Sequence, residues 1–214
     1  MRQSCGVALD PELPIIGFAR RMTAYKRPEL IFSDIERLRT IARRYPFQLV
    51  LAGKAHPRDS AGKHTIEDLH RHIRTLAGSV PAAFVPDYNM AVAGDLVAGC
   101  DLWLNTPLRP YEASGTSGMK AALNGVPQLS VLDGWWVEGC IEGVTGWAIG
   151  NDHESHNGED VGSLYRKLEE KILPLWHGDR AKWIALMKST ISKNAAFFTS
   201  HRMLRRYAIE AYLR

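Results

Sequence analysis

The chain has 214 residues, 45% of them hydrophobic and 23% charged, and a formal net charge of +4; this is ordinary globular composition, with length enough for one large domain and its own core. Basic residues lie beside acidic ones on helical faces, as over residues 34–44 and 166–171, which argues against a nucleic-acid patch, and no apolar run approaches the roughly 18 residues of a membrane span. The three cysteines, Cys5, Cys100 and Cys140, have an odd count and no metal-ligand spacing, and the N-terminus lacks a signal-peptide pattern, so a reducing, cytoplasmic setting is expected.

Residues 13–18 form a short apolar run behind prolines and residues 47–51 a second, each followed by glycine and a helical pattern. Both read as buried strands. Pro28 opens a helical stretch over 29–44, where Leu30, Ile31, Ile35, Leu38 and Ile41 recur at helical spacing, and a second helix is expected over 64–77. Strands over 82–85, 102–104 and 128–132 alternate with helices over 90–98 and 117–124. This alternation predicts an α/β class: a doubly wound, Rossmann-like, mostly parallel sheet covered on both faces. Residues 161–176 and 180–213 read as helical, with Pro174 ending the first segment and Trp183, Leu186, Met187 and Ile191 on one face of the second. The polar stretch 151–160 is loop length. One domain over 1–214 is expected, with a helical extension from about residue 160.

Ligands in doubly wound domains bind at the carboxyl ends of strands, and the residues with useful chemistry follow strands. Arg20, Arg21 and Lys26 come after the first, Lys54 after the second, Tyr88 after the third, and Glu112 to Lys120 after the fourth. They can converge on one crevice. In Glu112-Ala-Ser-Gly-Thr-Ser-Gly-Met-Lys120 the small residues Ser114, Gly115, Thr116, Ser117 and Gly118 let the backbone approach an anion, and the free N–H groups of the following helix start favour negative charge. Lys120 sits about one turn into that helix. Taken alone, such a loop is also an ordinary turn, and three cations after a strand also describe a solvated basic turn. The arginines would supply forked donors to phosphate and Lys26 a point charge. His153, Glu154, His156 and Asp160 are metal-binding residue types, but they lie in a common kind of polar loop without a second ligand pair, so no metal is expected. Trp135, Trp136 and Trp147 read as core or cleft wall.

The phrase EASGTSGMKAALNG, followed by LSVLDGWW, resembles the pyridoxal-phosphate segment of α-glucan (glycogen, starch and maltodextrin) phosphorylases. Further motifs stand in family order: Gly17-Phe-Ala-Arg-Arg-Met-Thr-Ala-Tyr-Lys-Arg27, Ala52-Gly-Lys-Ala-His-Pro57, Asp87-Tyr88 and Trp147-Ala-Ile-Gly150. The resemblance implies the C-terminal domain of a two-domain GT-B glycosyltransferase. It implies Lys120 as the lysine that holds pyridoxal 5'-phosphate as a Schiff base, with Arg20, Tyr88, Gly115, Thr116 and Ser117 around the cofactor. By the same resemblance Arg21 and Lys26 contact the substrate and cofactor phosphates, Glu112, Ser114 and Gly115 hold the transferred sugar, and the catalytic set is Arg21, Lys26, Glu112 and Lys120. Arg20 stands where the family often has lysine. Tyr25 reads as a packing or pocket-wall residue.

The family reaction is retaining phosphorolysis of an α-1,4-glucan by orthophosphate to glucose 1-phosphate, with the cofactor phosphate assisting proton transfer. Many nucleotide-sugar transferases of this architecture place a second glutamate eight residues after the first. Here that position is Lys120, and an ammonium cannot accept a hydrogen bond from ribose, which argues against a nucleotide-sugar donor. Such phosphorylases are much longer, and the match looks like their C-terminal half. The expected partners are therefore α-glucan, inorganic phosphate and an N-terminal domain in the same or a separate chain, without which little activity is expected; a homodimer is left open. A cofactor-binding or regulatory domain without catalysis and a nucleotide-sugar transferase relic are the other readings.

Overall fold

The computed structural model describes residues 7–151 and 157–213. Six strands, β1 (Ile15–Ala19), β2 (Gln48–Ala52), β3 (Ala82–Val85), β4 (Leu102–Asn105), β5 (Gln128–Val131) and β6 (Gly146–Ile149), form one parallel sheet in the order 3-2-1-4-5-6. The doubly wound α/β class read from the sequence is the observed one. Because side chains alternate along a strand, the sheet feeds a core on each face. Leu49 and Leu51 of β2 face one core, with Leu102, Leu104, Leu129 and Val131, while Val50 and Ala52 face the other, with Trp103. Burying such an aliphatic side chain contributes about 1.5–3 kcal/mol.

The first core is covered by α1 (Ile35–Arg44), α2 (Ser60–Thr75), α6 (Asn157–Lys167), α7 (Leu173–Gly178) and α8 (Arg180–Ser189). The second is covered by α3 (Met90–Gly99) and α4 (Thr116–Leu123). A short turn of helix, α5 (Trp136–Gly139), and a last helix, α9 (Ser200–Tyr207), complete the set of α-helical segments described.

Several boundaries differ from the sequence reading, each for a local reason. The stretch expected as one helix over 29–44 is a 3-10 segment (Pro28–Phe32) followed by α1, because the Asp34 side chain accepts from Arg37 N at 2.9 Å and caps a new start. Helix α2 begins at Ser60 because Asp59 accepts from Gly62 N at 2.9 Å. Pro174 does not end its helix. The preceding Leu168–Ile172 stretch is a π-type turn in which Leu173 N donates to Leu168 O, so the ladder has already widened where proline lacks its N–H. The expected helix over 180–213 is interrupted before α9, where Thr199 caps Arg202 N at 3.2 Å. Strand β6 was not expected: four residues long and flanked by Gly143 and Gly150, it reads as loop until it pairs with β5.

The strand order reverses direction between β1 and β4. Successive crossovers leave β1 toward β2 and β3, then return to β4 and run outward to β5 and β6. The loops after β1 and β4 therefore part over the sheet and open a crevice between them.

Candidate functional site

The two loops are laced together below the crevice. Arg27, in the left-handed region at φ 43°, donates from Nε to Thr106 O at 2.9 Å and from Nη2 to Pro107 O at 2.8 Å, and its guanidinium meets Asp160 Oδ2 at 2.6 Å. The Thr106 hydroxyl lies 2.9 Å from Lys26 O and 2.8 Å from Arg27 O, and Leu108 N donates to Tyr25 O at 2.6 Å. The chain on either side of Lys26 is thus anchored to the loop leading to Glu112.

Above this lacing lies a buried charge cluster. Glu112 Oε2 accepts from Arg20 Nη2 at 2.7 Å and from the Lys26 ammonium, and the three side chains are only 6%, 9% and 10% exposed for Arg20, Lys26 and Glu112. Burial pulls the Arg20 guanidinium below its usual range, and the Glu112 carboxylate opposes that shift. Lys26 Nζ also sits 4.5 Å from the centroid of the Tyr25 ring. Tyr88, half-buried, has its phenol pushed up by burial, with Arg20 pulling the other way. Both cations meet the same carboxylate oxygen, Oε2, and no hydrogen bond from a described residue reaches Glu112 Oε1.

The Glu112–Lys120 loop is held from the other side by the turn after β5. Glu112 N donates to Asp133 Oδ2 at 2.8 Å, Gly134 N to Asp133 Oδ1 at 2.9 Å and Trp135 N to Ser114 O at 2.8 Å. Gly115 adopts φ 86° as the residue before α4, a conformation that favours glycine. Gly118 N donates to Gly115 O at 3.0 Å, whereas the first two N–H groups of α4, on Thr116 and Ser117, have no intrahelical partner, and the buried Ser117 Oγ has no hydrogen-bond partner among the described residues. Lys120 is exposed, and its side chain pairs with no described residue.

These pieces meet in one cavity of about 480 Å³ at the carboxyl ends of β1 and β4. Arg20, Arg21, Tyr25 and Lys26 reach it from the first loop, Tyr88 from the third, and Glu112, Ser114, Gly115, Thr116, Ser117 and Lys120 from the fourth. Four cations face one carboxylate there, a balance suited to phosphate groups. Lys54 is exposed and does not line the cavity. Trp136 and Trp147 are buried in the cores, and Trp135 lies under the Ser114–Gly115 turn. His153, Glu154 and His156 lie outside the described residues, as does Cys5. Asp160 is paired with Arg27, and no metal-holding group of His, Cys, Asp and Glu occurs among the described residues.

Sequence reasoning missed Thr106, Asn105, Gln128 and Asp133. Gln128 carried a signal, a polar residue opening a buried strand, and Asp133 carried another, an Asp-Gly pair just beyond that strand.

A family profile described as carbohydrate phosphorylase matches residues 1–145. The glycogen phosphorylase of Aquifex aeolicus is 45% identical over 217 residues, covering 97% of this chain and 31% of its own. The maltodextrin phosphorylase of Thermococcus litoralis is 44% identical over 211 residues, covering 95% of this chain and 25% of its own. The glycogen phosphorylase of Mycobacterium tuberculosis is 38% identical, with 96% and 25% covered. The chain thus spans between a quarter and a third of the length of these curated relatives.

Proposed function

This chain belongs to the carbohydrate phosphorylase family, and we propose that it is the phosphate- and cofactor-binding part of an α-glucan phosphorylase, catalysing retaining phosphorolysis of α-1,4-glucan to glucose 1-phosphate. The observation that carries this reading is the meeting of Arg20, Arg21, Lys26, Glu112 and Lys120 in one cavity. Lys120 shares that cavity with Glu112, where it offers a donor and no acceptor to a ligand. This favours a phosphate-bearing partner over the ribose of a nucleotide sugar.

The residues present fit pyridoxal 5'-phosphate. Lys120 offers an amine that pairs with no described residue at the mouth of the cavity, Ser117 Oγ is a buried hydroxyl without a partner among the described residues, and Gly115 gives the turn a bare backbone that a phosphate can approach. Arg20 and Tyr88 would flank the group, and Thr116 and Ser117 would hold its phosphate. When bound, that phosphate supplies a proton donor and acceptor beside the substrate phosphate.

The chain's own contribution is electrostatic and positional. Arg21, exposed on the cavity wall, and Lys26, fixed by the Thr106 lacing, would hold the attacking phosphate while charge redistributes at the sugar. Glu112 is oriented by its two cations and by Asp133, which leaves Oε1 to accept from sugar hydroxyls. The Ser114 and Gly115 backbone would meet the same sugar. Because Arg21 and Lys120 face solvent, excluding water during transfer requires a second domain closing over the cavity. We assign that role, and most glucan contacts, to the remaining length typical of the relatives, in the same or a separate chain working in the cytoplasm.

Absorbance titration with pyridoxal phosphate, borohydride reduction and peptide mapping test the reading. A label at Lys120 is expected. Label scattered over surface lysines would overturn it. When the remaining part is supplied, glucose 1-phosphate formation is expected, and Arg21→Ala or Lys26→Ala should cut turnover about 100-fold while the Lys120 label persists.

A further inference from the structure

On the face of the sheet that α4 covers, β5 presents polar side chains, Gln128 and Ser130, where β2 presents Val50 and Ala52. Ser130 is satisfied, its hydroxyl donating to Val131 O at 2.9 Å. Gln128 is not: it is 2% exposed, yet neither Oε1 nor Nε2 has a hydrogen-bond partner among the described residues. Asn105 Oδ1, Trp135 Nε1 and Arg20 Nη1 are likewise buried and unpartnered. These four side chains line a single small cavity of about 10 Å³, directly beneath Glu112, Ser114 and Gly115. So many unmet polar atoms around one space are costly unless something polar joins them.

The space and its chemistry select the occupant. A volume of about 10–15 Å³ holds one water, which needs two to four polar partners. The side chains that line the cavity bring three unpartnered N–H donors, on Arg20, Gln128 and Trp135, and two unpartnered carbonyl acceptors, on Asn105 and Gln128. One water accepts two hydrogen bonds and donates two. An apolar guest would leave all five groups unmet, and an anion would meet two carbonyl oxygens.

We infer that this cavity binds one ordered water, and that through it Gln128 is a positioning residue for Arg20. One arm of the Arg20 guanidinium, Nη2, holds Glu112 at 2.7 Å, and the other, Nη1, is buried without a partner in a side chain that lines the cavity. The water would tie that free arm to β4 and β5, fixing the plane of the guanidinium and with it the carboxylate above. Gly118 extends the link to the phosphate loop. A Cβ there would lie 1.8 Å from Gln128 Oε1 and 2.9 Å from Trp135 Nε1. Glycine lets the first turn of α4 rest on the Gln128 carboxamide.

The test pairs a crystal structure of the unloaded chain, at a resolution that shows ordered water, with pyridoxal phosphate titration of Gln128→Leu. One water within hydrogen-bond reach of Gln128, Asn105 and Arg20 is expected, and none in Gln128→Leu. That variant should bind pyridoxal phosphate about five- to tenfold more weakly and melt at a somewhat lower temperature, since Arg20, Asn105 and Trp135 lose the water that meets their buried polar atoms. Gln128→Glu, which keeps acceptors of the same length beside Arg20, should recover most of the affinity. Gly118→Ala, whose Cβ would displace the Gln128 carboxamide, should weaken pyridoxal phosphate binding as Gln128→Leu does. No water in the parent chain, or unchanged affinity in Gln128→Leu, overturns the inference. The affinity arm rests on the function proposed above, whereas the water does not: a chain that binds no pyridoxal phosphate sinks that function, and the density alone then decides the site.

Discussion

The crevice over β1 and β4 and the last helix, α9, invert the usual distribution of residues in opposite ways. In the crevice, Arg20, Lys26 and Glu112 are almost fully removed from water and satisfied mainly by one another. On α9 and the turn after it, Leu204 is 65% exposed, Tyr207 54% and Ile209 54%, and no side chain is buried. The segment before α9 is tied to the body through Phe198, whose ring meets Trp135 edge-on at 5.2 Å. Charge without water and apolar surface in water are the two informative departures from ordinary packing. The first is a buried arrangement whose members depend on each other for pairing, whereas the second buries none of its side chains.

The largest expected effect breaks the first half of that contrast. Glu112→Gln keeps the shape but leaves two buried cations facing one another. A loss of about 3 kcal/mol or more in urea denaturation is expected. A loss below about 1 kcal/mol would place these charges in effective contact with water and remove the contrast.

A smaller effect separates charge that is paired from groups kept neutral by burial. The Cys100 thiol, packed behind β1, is pushed up to about 12, first by burial and then by the neighbouring Asp101 charge. Its unfolded value is about 8.5. The folded chain therefore binds more protons between those values, and the stabilisation is complete below the unfolded value and lost as pH rises through the window. Between about pH 9 and 10 this group should cost about 1 kcal/mol of stability, and Cys100→Ala should flatten the decline. Equal slopes in the two proteins would refute it. Cys140 and Tyr165, also raised to about 12 by burial, act in the same direction.

The smallest effect sharpens the second half. Leu204→Ser and Tyr207→Ser should each change the stability of the chain by no more than about 0.5 kcal/mol. A calorimetric loss several times larger would mean that α9 is held by its apolar face.

Much of the fold was legible because its signals are local. Strand alternation, helical spacing and the glycine-rich loop each need only a few consecutive residues. Elements were misjudged where the decisive partner is distant or the geometry irregular. β6 is a strand only through β5, and Pro174 is tolerated only because a wide turn precedes it. The site divides in the same way. The cations after β1 and the Glu112–Lys120 loop stand out in the sequence as residue types suited to phosphate, and their family resemblance rests on short contiguous motifs.

Which of those groups touch could not be read from the chain. Lys26 and Glu112 are 86 residues apart and meet because Thr106 and Arg27 lace two loops together. Gln128 lies under Gly118 because β5 and α4 pack face to face, and Arg20 rather than Arg21 is the arginine that turns inward. The sequence alone determined the alternation, the class of sheet and the chemistry available at its carboxyl edge, since these depend on local propensity and side-chain type. Tertiary structure alone decided which charges share an oxygen and which polar atoms are left facing one another, because burial and pairing depend on distances between segments far apart in the chain.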